Sequence, residues 1–377
     1  MSKIIYVCHY DVEKGTRITS PAGLTLMNYV INSINSLGYD LTVFSPAQQN
    51  NSSAKNRETV KINEKTDAIF MRSIKRFTKF KLPPRFIYLK QIDNQIYKEL
   101  KELVEEGDTV IVYHSLSLIN AVTRLRKEKN FKLILQVAEI YSDVLEDTKN
   151  RQKEIDFIKT ADKYILISSL LAKKLELDEN NCIVCSGAYK TEKVINTPKE
   201  DKIHVLYAGT LDPTKGGAYY AMDSAKYLNE KYHLHILGFG TSGQIAHVKE
   251  ILEKQKNEFK CTVTYDGCLQ GTEYVEFLQG CHIGLSTQNP GGSYNDTSFP
   301  SKILVYLANG LKVVSVKIPA IESSPVGQAM HFYENSTPEE IAKAILSVDL
   351  EKTDGSRELI KRLNEEFVEN IKKLLEN

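Results

Sequence analysis

No stretch of the 377-residue sequence approaches eighteen uninterrupted apolar residues, and a helix needs about that many to cross a bilayer. The opening MSKIIYVCHY has no basic segment followed by a long apolar one, so no signal peptide is expected and the chain reads as cytoplasmic. Net charge is nearly absent at +1, so it names no partner. Cysteine is sparse, with six residues, and only Cys182 and Cys185 form a C-x-x-C. That pair sits in the apolar, strand-like run N-C-I-V-C-S, and no second C-x-x-C or H-x3-H completes a metal set. Buried structural thiols are therefore expected over a redox or zinc centre. There is no short-period repeat and no low-complexity tract. With 42% hydrophobic and 26% charged residues, the composition is that of a folded globular chain.

What is present is alternation. Short apolar runs at 4–8, 40–44, 68–71, 109–113, 132–136, 164–167 and 182–185 read as strands. Helical patterns at 24–37, 89–105, 116–128, 151–161 and 169–177 lie between them. A polar, proline-bearing stretch, 188–203, suits a linker. Alternation then restarts with strands at 204–208, 233–237, 261–265, 283–287 and 313–316, and it closes on helices at 338–347 and 357–376. This predicts an α/β fold of two Rossmann-like, doubly wound domains facing a central cleft. The boundaries are 1–187 for an N-terminal acceptor domain, 188–203 for the linker and 204–355 for a nucleotide-binding domain. Residues 356–377 form a last helix packing back on the first domain.

Three motifs concentrate in the second half. Y-A-G-T-L-D-P-T-K-G-G (207–217) runs from a strand through a glycine turn to Lys215 at a helix start. A cation among free N–H groups there suits an anionic ligand such as phosphate. A solvated surface lysine is the alternative. L-G-F-G-T-S-G (237–243) contains G-x-G-x-x-G, with Asp266 following at the end of the next strand, and this matches a dinucleotide fingerprint. The motif is not on the first strand of its half, and a ligand-free tight turn also fits. In S-F-P-S-K-I-L-V-Y-L-A-N-G-L-K-V-V-S (298–315), Pro300 precedes a helix starting near Ser301 and ending at Gly310. The Gly-rich stretch before it, 288–297, suits a closing loop.

Taken in order, Y-A-G-T-L-x3-K-G, L-G-x-G, Y-D-G-C-L and F-P-S-K-I-x2-Y-L-A-x-G-x2-V-V-S resemble glycosyltransferase family 4, in the branch found in bacterial capsular and exopolysaccharide gene clusters. The resemblance is good over 203–320 and weaker over 1–187. It implies a two-Rossmann GT-B fold and retaining transfer of a hexose from a nucleotide sugar, UDP first, without metal or other cofactor. By that resemblance Lys215 holds the diphosphate, and Gly209, Thr210, Gly238 and Gly240 line the nucleotide. Gly267 and Leu269 meet the base, and Ser301 and Lys302 sit near phosphates or ribose. The sequence departs from the family at Thr210, where an Arg is common, and at Thr297 and Val305, where two Glu are usual. Those departures admit a non-catalytic paralogue acting as partner subunit, and G-F-G-T-S-G admits an NAD(P)-dependent oxidoreductase.

In the first half, Gly23 in R-I-T-S-P-A-G-L permits close backbone approach at a helix start. His114 and Glu139 each follow a strand at its carboxyl end, where α/β sheets bind ligands. The resemblance places His114 near the donor hexose, and Glu139 is a candidate for acceptor hydroxyls or for a helix cap. Residues 68–92 contain no Asp or Glu. They interleave Arg72, Lys75, Arg76, Lys79, Lys81 and Arg85 with aromatics, the composition of an interfacial segment. That patch predicts peripheral contact with an anionic membrane and a lipid-linked or oligosaccharide acceptor. No nucleic-acid motif accompanies it. Oligomeric state is not readable from the sequence.

Overall fold

The computed structural model describes residues 2–12, 16–49, 56–74, 85–195, 202–289, 291, 295, 297–352 and 355–376, the side chains of Arg85 and Phe86 excepted. The chain divides into two compact units, Met1–Ser186 with Glu366–Asn377, and Gly187–Glu365.

The first unit is built on strands β1 (Ile4–Val7), β2 (Leu41–Ser45), β3 (Glu58–Asn63), β4 (Thr66–Phe70), β5 (Thr109–Tyr113), β6 (Lys132–Val137), β7 (Lys163–Leu166) and β8 (Cys182–Val184). Their order in the sheet is β3-β4-β2-β1-β5-β6-β7-β8. Neighbours pair in parallel except β3 with β4, which form an antiparallel edge. β1 (IIYV) is buried at every residue, as expected of a central strand covered on both faces. The helices are α1 (Pro21–Ser36), α2 (Arg85–Leu103), α3 (Ile119–Arg126), α4 (Tyr141–Val144), α5 (Thr148–Ile158) and α6 (Ser169–Leu175). α1 starts where Pro21 takes the first helical position and the Ser20 side chain accepts from Gly23 N. β3 escapes sequence reading because ETVKIN has mixed residues, none of them buried.

The second unit has strands β9 (Ile203–Thr210), β10 (Tyr232–Phe239), β11 (Thr262–Gly267), β12 (Ile283–Ser286), β13 (Lys312–Val316) and β14 (Met330–Tyr333). They are parallel throughout, in the order β11-β10-β9-β12-β13-β14. Helices α7 (Gly217–Ser224), α8 (Ser242–Gln255), α9 (Gly271–Gly280), α10 (Lys302–Ala308), α11 (Pro319–Glu322), α12 (Pro338–Leu346) and α13 (Ser356–Glu376) complete the chain. The polar stretch after residue 187 is tied to this unit, with Ile195 N donating to Gln279 Oε1 at 2.7 Å and Gln279 Nε2 to Lys193 O at 2.8 Å. The end of α13 belongs to the first unit, where Phe367 stacks on Tyr29 with ring centroids 5.1 Å apart. There Lys132 Nζ donates to Leu374 O at 2.7 Å, a cation at a helix carboxyl terminus.

Each sheet has a switch point where its order reverses, between β1 and β5 and between β9 and β12. In the second sheet β9 and β12 pair only at Val205 with Ile283 and Leu206 with Gly284, then diverge. Tyr306 fills the divergence. Its hydroxyl accepts from Ala208 N at 2.9 Å, taking over the ladder bond that β12 no longer supplies. Gly284 is required beneath it, because a Cβ there would stand 2.4 Å from the Tyr306 ring. A crevice at the carboxyl end follows from this geometry. Among the described residues no helix is long and apolar enough to cross a membrane.

Candidate functional site

The crevice beyond β9 gathers two amines. Lys302 opens α10, and its Nζ lies 4.2 Å from the centroid of the Tyr207 ring. Enclosure of the amine, helped by the nearby charge of Lys215, pushes its pKa down to about 8 from 10.5. Lys215 is exposed, one residue before Gly216, whose positive φ of 72° begins α7 with no side chain capping the helix. Neither amine forms an ion pair with a described residue. Two cations drawn together beside uncapped helical N–H groups make a site for an anion.

Two glycines keep that site open. A Cβ at Gly209 would come within 2.9 Å of Tyr207 Oη and 3.0 Å of Lys302 Nζ. One at Gly217 would meet Tyr207 Oη at 2.6 Å and Thr287 O at 2.7 Å. Tyr207 in turn donates to Thr210 O at 3.1 Å, and Thr287 Oγ1 to Gly217 O at 2.7 Å. Sequence reading missed the parts of Tyr207, Gly217 and Thr287; the motif containing the first two was the available signal. Ser301 is exposed and precedes α10 with no side-chain cap bond. Gly267 turns at φ 83° with open space around it, and Leu269 beyond is half-buried. The stretch 288–297 is described only in part.

Gly238 has a structural requirement, since a Cβ there would lie 2.5 Å from Gly209 O on the neighbouring strand. At Gly240 a Cβ would meet only the movable Gln244 Oε1 within 2.8 Å. The start of α8 is already satisfied by its own capping box, Thr241 Oγ1 accepting from Gln244 N and Gln244 Oε1 from Thr241 N. Asp266 is also committed, accepting from Thr264 Oγ1 at 2.9 Å and contacting His235 Nδ1 at 3.1 Å. G-F-G-T-S-G therefore fits a strand-to-helix turn better than a pyrophosphate cradle with a ribose-binding acid.

In the first unit the carboxyl ends of β1, β5 and β6 carry titratable groups. His114 is fully buried, with Nε2 2.7 Å from Glu154 Oε1. Burial would raise the Glu154 carboxyl, but hydrogen bonds from His114 and from Ser142 N outweigh it and hold it below its ordinary 4.5. Tyr141 N and Ser142 N both donate to it at 2.8 Å. His114 Nδ1 is buried with no hydrogen-bond partner among the described residues. The structure thus places His114 beneath the sheet end as a braced group, and Glu154 is the partner sequence reading missed. Glu139 is half-buried beside Tyr113 and Tyr141. Burial, with Glu139 adding to it, pushes Tyr141 up to about 12. His9 follows β1, meets Ser117 Oγ at 2.9 Å and is pushed by burial down to about 4.

Gly23 lies in the first turn of α1, where a Cβ would make only ordinary contact, 3.4 Å from Ser20 Cβ. Of the basic patch, Arg72 is exposed and Arg85 opens α2. Lys75, Arg76, Lys79 and Lys81 lie outside the described residues. Cys185 is buried and Cys182 half-buried, and burial raises Cys182 to about 11, which removes the thiolate that redox chemistry needs.

No protein-family model and no curated protein matches the sequence. Solved structures do match. The apo structure of OtsA aligns over 98% of this chain and 99% of its own, with TM-score 0.71 and 10% identity. The E. coli trehalose-6-phosphate enzyme bound with UDP-2-fluoro glucose aligns over 99% of both chains, with TM-score 0.69 and 11% identity. A trehalose-phosphate synthase from Burkholderia xenovorans, in complex with glucose-6-phosphate, aligns over 100% of both, with TM-score 0.66 and 11% identity. The chain has the GT-B fold. The two-Rossmann architecture implied by the motifs is thereby established. These structures give no support to the capsular branch of the resemblance.

Proposed function

We propose that the protein is a retaining glycosyltransferase that moves a hexose from a nucleotide sugar, a UDP-sugar first, to an acceptor hydroxyl. The observation that carries this reading is the Lys215–Lys302 pair at the switch point of the second sheet. A ligand diphosphate relieves the repulsion between the two amines and the enclosure of Lys302, and the same two cations stabilise that diphosphate as it departs. Retention of configuration rests on the fold likeness and on the motif resemblance. In the first unit, Glu139 is the accessible group for acceptor hydroxyls, and His114 acts as a positioning residue through Glu154. The site needs no metal for this chemistry.

The acceptor is sought first among sugar phosphates, because one fold neighbour is a complex with glucose-6-phosphate. Lipid-linked and oligosaccharide acceptors come second, on the composition of residues 68–92 and the motif resemblance; both, and peripheral membrane contact, rest on sequence alone. The second reading, a catalytically silent partner subunit, is favoured by Thr210, Thr297 and Val305.

Calorimetric titration with UDP, GDP and NAD, with UDP release from UDP-hexoses in parallel, tests the proposal. Micromolar UDP binding that weakens about 10–100-fold in Lys215→Ala, with turnover once an acceptor is added, is the expected result. GDP binding in place of UDP changes the donor and keeps the reaction class. NAD binding without UDP would overturn the proposal, and silence from all three favours the partner subunit.

A further inference from the structure

The second sheet carries a group of side chains for which donor binding has no use. His233 and His235 are two apart on β10, so both face the same side of the sheet. His204 on β9 is the register partner of His233. One nitrogen from each ring lies within 4.8 Å of the other two. The closest pair, His204 Nδ1 and His235 Nε2, is 2.8 Å apart. The rings crowd, with centroids 3.8 Å apart for His233 and His235 and 5.1 Å for His204 and His235. His204 and His235 are buried and His233 is half-buried. The group sits in the amino-terminal half of the sheet, and six residues of strand, about 20 Å, separate His204 from Thr210 at the donor crevice.

The surroundings are those of ligands held in place. His235 turns Nδ1 toward Asp266 Oδ2 at 3.1 Å, opposite the nitrogen that meets His204. His233 Nε2 lies 3.0 Å from Thr264 Oγ1. A carboxylate on the far nitrogen fixes the tautomer and raises the basicity of a ligating histidine. His204 N donates to His282 Nδ1 at 3.0 Å, so half of the chain's eight histidines gather here. Three imidazoles form a donor set that zinc and its borderline neighbours accept, whereas magnesium and calcium prefer oxygen.

We propose that His204, His233 and His235 form a binding site for a divalent transition metal of the zinc type, separate from the donor crevice, with Asp266 as the outer partner that orients His235. Two nitrogens at about 2.05 Å from a tetrahedral ion stand about 3.3 Å apart. Ligation therefore asks His204 Nδ1 and His235 Nε2 to part by about half an ångström and the more distant nitrogens, which lie within 4.8 Å, to settle near the same spacing. The alternative is three rings that share hydrogen bonds and hold no ion.

The test uses the full-length protein without a histidine tag, stripped with chelator and dialysed, then titrated with Co²⁺ and back-titrated with Zn²⁺. The expected result is one Co²⁺ per chain with intense visible absorption of low coordination number, displaced by equimolar Zn²⁺. Zn²⁺ also raises the melting temperature, and Mg²⁺ does not. Asp266→Asn weakens Zn²⁺ about 10–100-fold, and His233→Gln weakens it at least as much. His233 is half-buried, so its variant is the one suited to folding, and the spectrum of the unaltered protein decides even if no variant folds. Absence of stoichiometric Co²⁺ and Zn²⁺ binding below about 100 µM overturns the proposal, as does Zn²⁺ affinity unchanged in both variants. UDP binding is measured alongside and keeps its value with the metal removed, so a failure at one site is not read as failure at the other.

Discussion

The depressed amine of Lys302 gives the donor site a signature that can be measured in protons. The gap between about 8 and the ordinary 10.5 corresponds to about 3 kcal/mol by which the crevice disfavours the charged form. The folded-state pKa lies below the unfolded one, so this cost to folding is present in full below pH 8 and disappears as pH rises toward 10.5. A diphosphate bound beside the amine offsets the same cost and returns the pKa toward its ordinary value. Without ligand, the amine is about nine-tenths protonated at pH 7, half at pH 8 and one-tenth at pH 9. UDP binding should therefore take up about 0.1 proton at pH 7, 0.5 at pH 8 and 0.9 at pH 9. Calorimetry at each pH in two buffers of different ionisation enthalpy reads this uptake directly. In Lys302→Met the uptake should vanish while weaker UDP binding remains. In Lys215→Ala the profile should move to higher pH, because a neighbouring cation that lowers Lys302 is gone. Zero uptake at pH 9 with UDP bound, or uptake unchanged in Lys302→Met, would refute the reasoning.

Three further outcomes follow from the geometry. Lys215→Ala should weaken UDP about 10–100-fold, the worth of a charge-assisted hydrogen bond, and leave the thermal melt unchanged because Lys215 is exposed. Gly284→Ala should destabilise by about 1–3 kcal/mol and lower the melting temperature by several degrees, since its Cβ would stand 2.4 Å from the Tyr306 ring; an unchanged melt contradicts the packing described. Glu154→Gln should cost about 1–3 kcal/mol at neutral pH. Because the folded carboxyl of Glu154 lies below 4.5, its stabilisation is present above that pH and lost as pH falls below it. The variant should show a shallower acid limb in urea unfolding between pH 5 and pH 3.

Much of the fold was legible because parallel α/β sheets write themselves as buried apolar runs. IIYV at β1 and KVVSV at β13 are buried at every position. β3 was not legible, since ETVKIN forms an antiparallel edge with mixed residues, none of them buried. MHFY at β14, a four-residue strand mostly half-buried at the other sheet's edge, was also missed. At the candidate donor site the motifs named Lys215, Gly209 and Lys302, and the structure brings Lys302 close to Gly209. The motifs did not reveal that Lys302 lies against the Tyr207 ring, or that Gly217 leaves the room Tyr207 Oη occupies. His114 was legible as a sheet-end residue, but its partner Glu154 lies 40 positions away and only the fold joins them. H-L-H at 233–235 stood in the sequence as a pair on one strand face. Its third member, His204, comes from a neighbouring strand, and spacing alone cannot bring it there.

The brief pairing of β9 with β12 makes the second sheet two three-stranded panels stitched along a two-residue seam. One phenol, Tyr306, is the pin that keeps the panels from zipping further. A longer seam would give a stiffer sheet and leave no mouth between the panels. The shortest pairing in this sheet is thus also what makes the unit a receptacle.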